Sequence, residues 1–231
     1  MTLGSPPSRF IALVAALAVL ILAGIGLHLL STLAGGDDLS LVRDLARERT
    51  DWLTTLAHGF SLLGRSIVLL PGAIAVALAL AFVFVASGRD RDMQGLAIVT
   101  GIIGAMIIQN VDKAIVGRPR PPVVQLEHVT GTSFPSGHAT EATAFWLVLL
   151  IVIRLGRWPR PLKRCATPAV GAIVVGVALS RVYLGVHYPT DVISGALLGG
   201  AWALTIAAVL LPGDATHGHG RCRIGSARSG D

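Results

Sequence analysis

Two histidines, an aspartate and three cations, carried by three short stretches, define the chemistry open to this chain. In "SRVYLGVHYPTD", His187 stands four residues before Asp191, with Pro189 between them at a position suited to the first residue of a helix. A carboxylate so placed accepts the proton of one imidazole nitrogen, fixes the tautomer and leaves a lone pair on the other nitrogen. His187 is the candidate nucleophile, with Asp191 as its orienting partner. In "FPSGHATEATAF", His138 opens an apolar run directly after Pro135-Ser136-Gly137. From there it is free to protonate a leaving oxygen and afterwards to deprotonate water.

The electrophile is indicated by the cations. Lys113, Arg120 and Arg181 supply three fixed positive charges, two of them guanidinium forks matched to phosphate oxygens. A helix starting after Ser136 and Gly137 adds free N–H groups and its positive dipole end; Gly137 lets the backbone approach closely and Ser136 can donate. The sum is an anion site for a phosphoryl group. Zinc on His138, His187 and Asp191 would be opposed by three adjacent cations, so neither a metal nor another cofactor is expected. Arg118 reads as a side chain snorkelling to lipid headgroups. Glu141, one turn beyond His138, has three readings: it orients His138, meets a substrate headgroup, or bonds a neighbouring helix.

The elements that must position these residues are apolar. Of 231 residues, 53% are hydrophobic and only 14% charged, and long apolar runs recur at about 10–35, 66–87, 95–111, 139–153, 168–182 and 192–211. Each approaches the roughly 20 residues that cross a hydrocarbon core, the fourth and fifth falling short. The expected fold is all-α, a six-span transmembrane bundle. The first run is longer than the ~7–15 apolar residues of a secretory signal and five more follow, so it is read as a retained span. Between the first two runs, Leu39, Leu41, Val42, Leu45, Trp52, Leu53 and Leu56 recur at helical spacing among charges. That pattern predicts an amphipathic helix or helix pair on the outer membrane surface.

Basic residues set the orientation. Arg9, Arg89 and Arg91, then Arg154, Arg157, Arg160, Lys163 and Arg164, and finally Arg221, Arg223 and Arg228 all fall on one side if the N-terminus is cytoplasmic. Both termini are then inside, and Lys113, Arg120, Ser136, His138, Arg181, His187 and Asp191 gather at the outer face. The net charge of +6 is accounted for by these topology-setting residues, and no nucleic-acid partner is needed. Cys165 and Cys222 fall in a cytoplasmic loop and tail, where a structural disulfide is not expected. Residues 1–212 read as one integral-membrane domain and 213–231 as a polar, Gly-rich, disordered tail, in which His217, His219 and Cys222 are too loosely spaced for a metal site.

The stretches "KAIVGRPRP" from Lys113, "PSGH" from Pro135 and "SRVYLGVHYPTD" from Ser180 resemble, in order and without a gap, the three signature motifs of the type 2 phosphatidic acid phosphatase superfamily. The resemblance implies that Lys113, Arg120, Ser136, Gly137 and Arg181 bind phosphate, that His138 is the acid/base and that His187 is a nucleophile positioned by Asp191. It further implies metal-independent hydrolysis of a membrane-lipid phosphate through a phosphohistidine, at the outer face. Polyprenyl diphosphate is the favoured substrate, ahead of phosphatidylglycerol phosphate and phosphatidic acid. Soluble vanadate-dependent haloperoxidases share these motifs, but six spans argue against that reading. A lipid transporter or scramblase, using the charges as a headgroup path, is the alternative from another class; nothing in that role needs an ordered His-Asp pair.

Overall fold

A computed structural model describes residues 6–33, 37–86, 93–156 and 158–211, and all regular structure among them is helical. Eight helices follow one another: α1 Pro6–Leu33, α2 Asp37–Arg47, α3 Asp51–Leu62, α4 Ser66–Ala86, α5 Gln94–Val116, α6 Gly137–Leu155, α7 Arg160–Tyr183 and α8 Pro189–Leu210. Six of them, α1 and α4 to α8, are long and apolar enough to cross a membrane. The amphipathic segment resolves into the pair α2 and α3. Arg89, Arg91, Arg157 and the tail with His217, His219 and Cys222 lie outside the described residues.

Two spans outrun their sequence expectation: the third continues past residue 111 to Val116 and so carries Lys113, and the fifth differs more. The fifth begins at Arg160, two turns before Pro168, so Arg160, Lys163, Arg164 and the exposed Cys165 ride on helix rather than on a loop. Long cationic side chains extend from the end of a span toward water and leave their stems against lipid, and a proline in the first turn costs no hydrogen bond. The helix therefore starts before the apolar run does.

The core is built where α5, α6 and α8 meet. Ile98, Ile102, Phe145, Val148, Leu198 and Trp202 lie in one buried cluster. Trp202 donates its indole N–H to the carbonyl of Gly101 at 3.1 Å, so the one polar atom of this side chain is satisfied within the apolar layer. α8 approaches α6 so closely that a Cβ added at Gly199 would run into the carbonyl oxygen of Thr140. This packing of small residues is how helices associate when lipid removes the hydrophobic advantage of burial. It fixes the starts of α6 and α8 side by side: the Ser136 N–H donates to the carbonyl of Asp191 at 3.0 Å.

The short helices are clamped to the same end of the bundle. Arg49, between α2 and α3, donates to the carbonyls of Tyr183 and Val124, and the Thr50 N–H donates to the Tyr183 hydroxyl at 3.0 Å. Leu41, Trp52, Leu56 and Leu62 stay exposed on this pair, an apolar face suited to the lipid interface.

Candidate active site

The three motif stretches, far apart in sequence, converge at one end of the bundle. Lys113 lies in the last turn of α5 and donates to the carbonyls of Thr132 (3.1 Å) and Pro135 (2.8 Å), which leaves one of its three ammonium protons uncommitted. Arg120, in the loop after α5, is held by three carbonyls: those of Gly131, Val186 and Thr130. Among the described residues, neither cation is paired with a carboxylate.

His187 sits in the turn between α7 and α8, which reverses through Gly185 at φ +76°. A side chain there would adopt a strained left-handed backbone and would also meet the guanidinium of Arg49. The His187 Nδ1 lies 3.4 Å from Asp191 Oδ2, and Nε2 lies 3.4 Å from Arg120 Nη1. With Nδ1–H directed at the carboxylate, the lone pair is on Nε2 and faces the cations. Burial, with the charges of Lys113 and Arg181, brings the imidazole down to about 4 against the opposing pull of Asp191. The ring is neutral at neutral pH, as a nucleophile must be.

Four buried side-chain atoms at the facing ends of α6 and α7 have no protein partner: Ser136 Oγ, His138 Nε2, and Arg181 Nε and Nη2. Ser136 occupies the N-cap position of α6, yet its hydroxyl makes no cap hydrogen bond, and the first N–H groups of that helix are unpaired by construction. Buried polar atoms without partners are few in folded proteins and mark a ligand site when they cluster. Arg181 is wholly buried, its Nη1 donating to Ser61 Oγ and to Glu127. All the residues expected from the sequence, Lys113, Arg120, Ser136, Gly137, His138, Arg181, His187 and Asp191, are thus at one end of the bundle.

Two residues depart from expectation. Arg118 does not snorkel: it bonds Asp191 Oδ1 at 2.7 Å and Asp38 Oδ2 at 3.0 Å, and stacks 4.0 Å over the Tyr188 ring. A guanidinium between two carboxylates is held far more firmly than one among headgroups. Glu141 accepts from Ser66 Oγ at 2.5 Å and from Gln109 at 3.4 Å, so of its three readings the structure supports the bond to neighbouring helices. Two further residues escaped the sequence reading. Glu127 receives Arg65 at one carboxylate oxygen and Arg181 at the other; burial alone would raise its carboxyl, but these two guanidiniums bring it down to about 2. Asp112 is fully buried beside Gly24 of α1, with neither oxygen bonded to protein; a charge inside a span was the signal available for it.

The family model of the PAP2 superfamily matches residues 94–212, more than half the chain and all three motif stretches. The chain belongs to the PAP2 superfamily. Membership makes this six-span protein a phosphatase. Phosphatidylglycerophosphatase B of Bacillus subtilis is 30% identical over 152 residues, covering 65% of this chain and 72% of that protein. Decaprenylphosphoryl-5-phosphoribose phosphatase of Mycobacterium tuberculosis is 34% identical over 149 residues, covering 62% of this chain and 71% of that protein. Among solved structures, the transmembrane PAP2 type phosphatidylglycerolphosphate phosphatase of Bacillus subtilis superposes with a TM-score of 0.69 at 25% identity, over 85% of this chain and 94% of that one. Glu127, Arg118 and Glu141 lie outside the PAP2 signature, so in this PAP2 protein their roles rest on geometry alone.

Proposed function

We propose that this PAP2 protein hydrolyses a membrane-lipid phosphate or diphosphate at the outer face of the bilayer, through a phosphohistidine on His187. Nε2 of His187 attacks phosphorus while the bond from phosphorus to the leaving oxygen breaks, and His138 delivers a proton to that oxygen. Water then attacks the phosphohistidine, its proton passes to His138, and the phosphorus–nitrogen bond breaks to release inorganic phosphate. Lys113, Arg120, Arg181, Ser136 and the N-terminus of α6 at Gly137 hold the phosphoryl oxygens as charge builds on them. The observation that carries this reading is the set of buried, unpartnered donors on α6 and α7 opposite an ordered His187–Asp191 pair. A transporter needs no such pair.

Polyprenyl diphosphate remains the favoured substrate. Arg65, whose side chain keeps 41% exposure on the far oxygen of Glu127 from Arg181, adds a cation at the exposed side of the cluster and favours a second phosphate. Phosphate release by purified protein in matched micelles should be compared for polyprenyl diphosphate, phosphatidylglycerol phosphate and phosphatidic acid. Release should be fastest with the diphosphate, and Arg65→Ala should lower that rate by about tenfold while changing the monophosphates less, the loss of one charge-assisted contact. Equal losses on all three lipids would remove the argument for a diphosphate. No release from any of them would favour the transporter.

The outward orientation is supported by the basic residues at the opposite end, Arg154, Arg160, Lys163 and Arg164. In a Cys165→Ser, Cys222→Ser background, Val124→Cys, 75% exposed in the loop after α5, should react with an impermeant thiol reagent in intact cells. Arg160→Cys should react only after lysis. The reverse pattern would place the site inside.

A further inference from the structure

Asp191 has more partners than orienting one histidine requires. Its Oδ2 serves His187 and accepts the Tyr188 N–H at 2.9 Å. The other oxygen is occupied by Arg118 at 2.7 Å, and the same guanidinium reaches Thr190 Oγ1 at 2.8 Å and Asp38 at 3.0 Å. Asp38 belongs to the first turn of α2 and also accepts the N–H of Thr190 at 3.2 Å and its hydroxyl. A continuous chain, Asp38–Arg118–Asp191–His187, therefore runs from the amphipathic surface helix to the imidazole.

The seat of α2 is just as specific. Val42, one turn beyond Asp38, is fully buried in a cluster with Ala139, Val182 and Val192. These are the residues that follow His138, Arg181 and Asp191 in sequence. Asp38 and Arg118 keep only 18% and 17% side-chain exposure, so their charges interact with little screening by water.

We propose that Asp38 and Arg118 are positioning residues: they hold Asp191 in the rotamer that aims His187 at phosphorus, and they make the nucleophile dependent on α2 being seated on the bundle. The inference rests on the reading of His187 as nucleophile. Without Arg118, one oxygen of Asp191 has no partner and the carboxylate is held only through the oxygen that also serves the ring, a looser hold than an outer partner gives. Without Asp38, Arg118 keeps Asp191 but loses the contact that fixes its own fork.

The test uses the full-length protein in micelles with each of the three lipids carrying ³²P in its terminal phosphate, the polyprenyl diphosphate first, and the lipid from which wild type releases phosphate is read by chemical quench for the rate of phosphohistidine formation. Arg118→Gln should slow that step by about ten- to a hundredfold with KM changed less than about twofold, the usual range for losing an orienting partner. Asp38→Ala should slow it by less, Asp38→Glu should recover part of the loss, and Asp38→Ala should add nothing in an Asp191→Asn background, because residues acting through one another are non-additive. Arg118→Lys, which keeps the charge and one bond, replaces Arg118→Gln if that variant does not fold. Phosphoenzyme formation within twofold of wild type in folded Arg118 and Asp38 variants, or a full additional loss in the Asp191→Asn background, overturns the proposal. Absence of any phosphohistidine in wild type would instead defeat the reading of His187 beneath it.

Discussion

His187→Ala should abolish turnover on every substrate, including activated aryl phosphates, with a loss on the order of 10⁵-fold or more in kcat, the scale seen when a nucleophile is deleted. The imidazole is buried, held neutral and hydrogen-bonded to Asp191, with its other nitrogen toward Arg120. His138→Ala should behave differently. Its Nε2 is buried without a partner and its proposed role is proton transfer, worth roughly 10²- to 10⁴-fold. That loss should be large with a lipid alkoxide and small for the first step with an aryl phosphate, whose leaving group departs without protonation. The second step still needs a base for water, so even with the aryl substrate steady turnover should be slow after a burst. Steady-state and burst kinetics with a lipid phosphate and an aryl phosphate separate the two histidines. Rescue of His187→Ala by the aryl phosphate would mean that the roles are exchanged or that water attacks directly.

The second large effect is expected at Arg181. Its Nη1 is committed to Ser61 and Glu127, and its Nε and Nη2 are buried with no protein partner, so one planar fork anchors Glu127 and, in the mechanism proposed above, binds phosphate as well. Lysine keeps the charge but has a single point of attachment and cannot do both. Losing a charge-assisted contact to phosphate costs about 1.5–3 kcal/mol, so Arg181→Lys should reduce kcat/KM by about ten- to a hundredfold. Alanine is the poorer test, since leaving Glu127 beside Arg65 with half its pairing would also cost stability, about 3–5 kcal/mol for a buried pair broken on one side. Kinetics of Arg181→Lys alongside its thermal unfolding in detergent distinguish the two effects. Wild-type kcat/KM in the lysine variant would show that the fork does not touch phosphate.

The spans and the convergence of the motif residues are legible in the sequence, and for identifiable reasons. The six spans could be read because lipid imposes one requirement, length without charge, on every one of them. The His187–Asp191 pair could be read because a spacing of four across a helix start leaves the two side chains few ways to miss each other. Where the outcome depended on contacts between distant segments, the sequence was silent. Glu127 is a single carboxylate in an irregular loop, and its importance appears only when α7 brings Arg181 to it and the turn between α3 and α4 brings Arg65. The headgroup contact expected of Arg118 fails for the same reason: its partner Asp38 lies 80 residues upstream, on a helix whose amphipathic pattern announces a surface position but not a buried ion pair. Hydropathy makes the fifth span too short because its first two turns carry Arg160, Lys163 and Arg164, which it counts as loop and the helix tolerates.

The central claim, a phosphoryl group carried covalently by His187, is tested most directly by trapping it. His138→Ala protein mixed with a ³²P-labelled aryl phosphate and quenched in alkali within the burst should carry an acid-labile, base-stable label approaching one phosphate per chain, and peptide mapping should place it on the segment holding His187. The same experiment with His138→Ala, His187→Ala should give no label. Label on any other residue, or its retention when His187 is replaced, would contradict the mechanism.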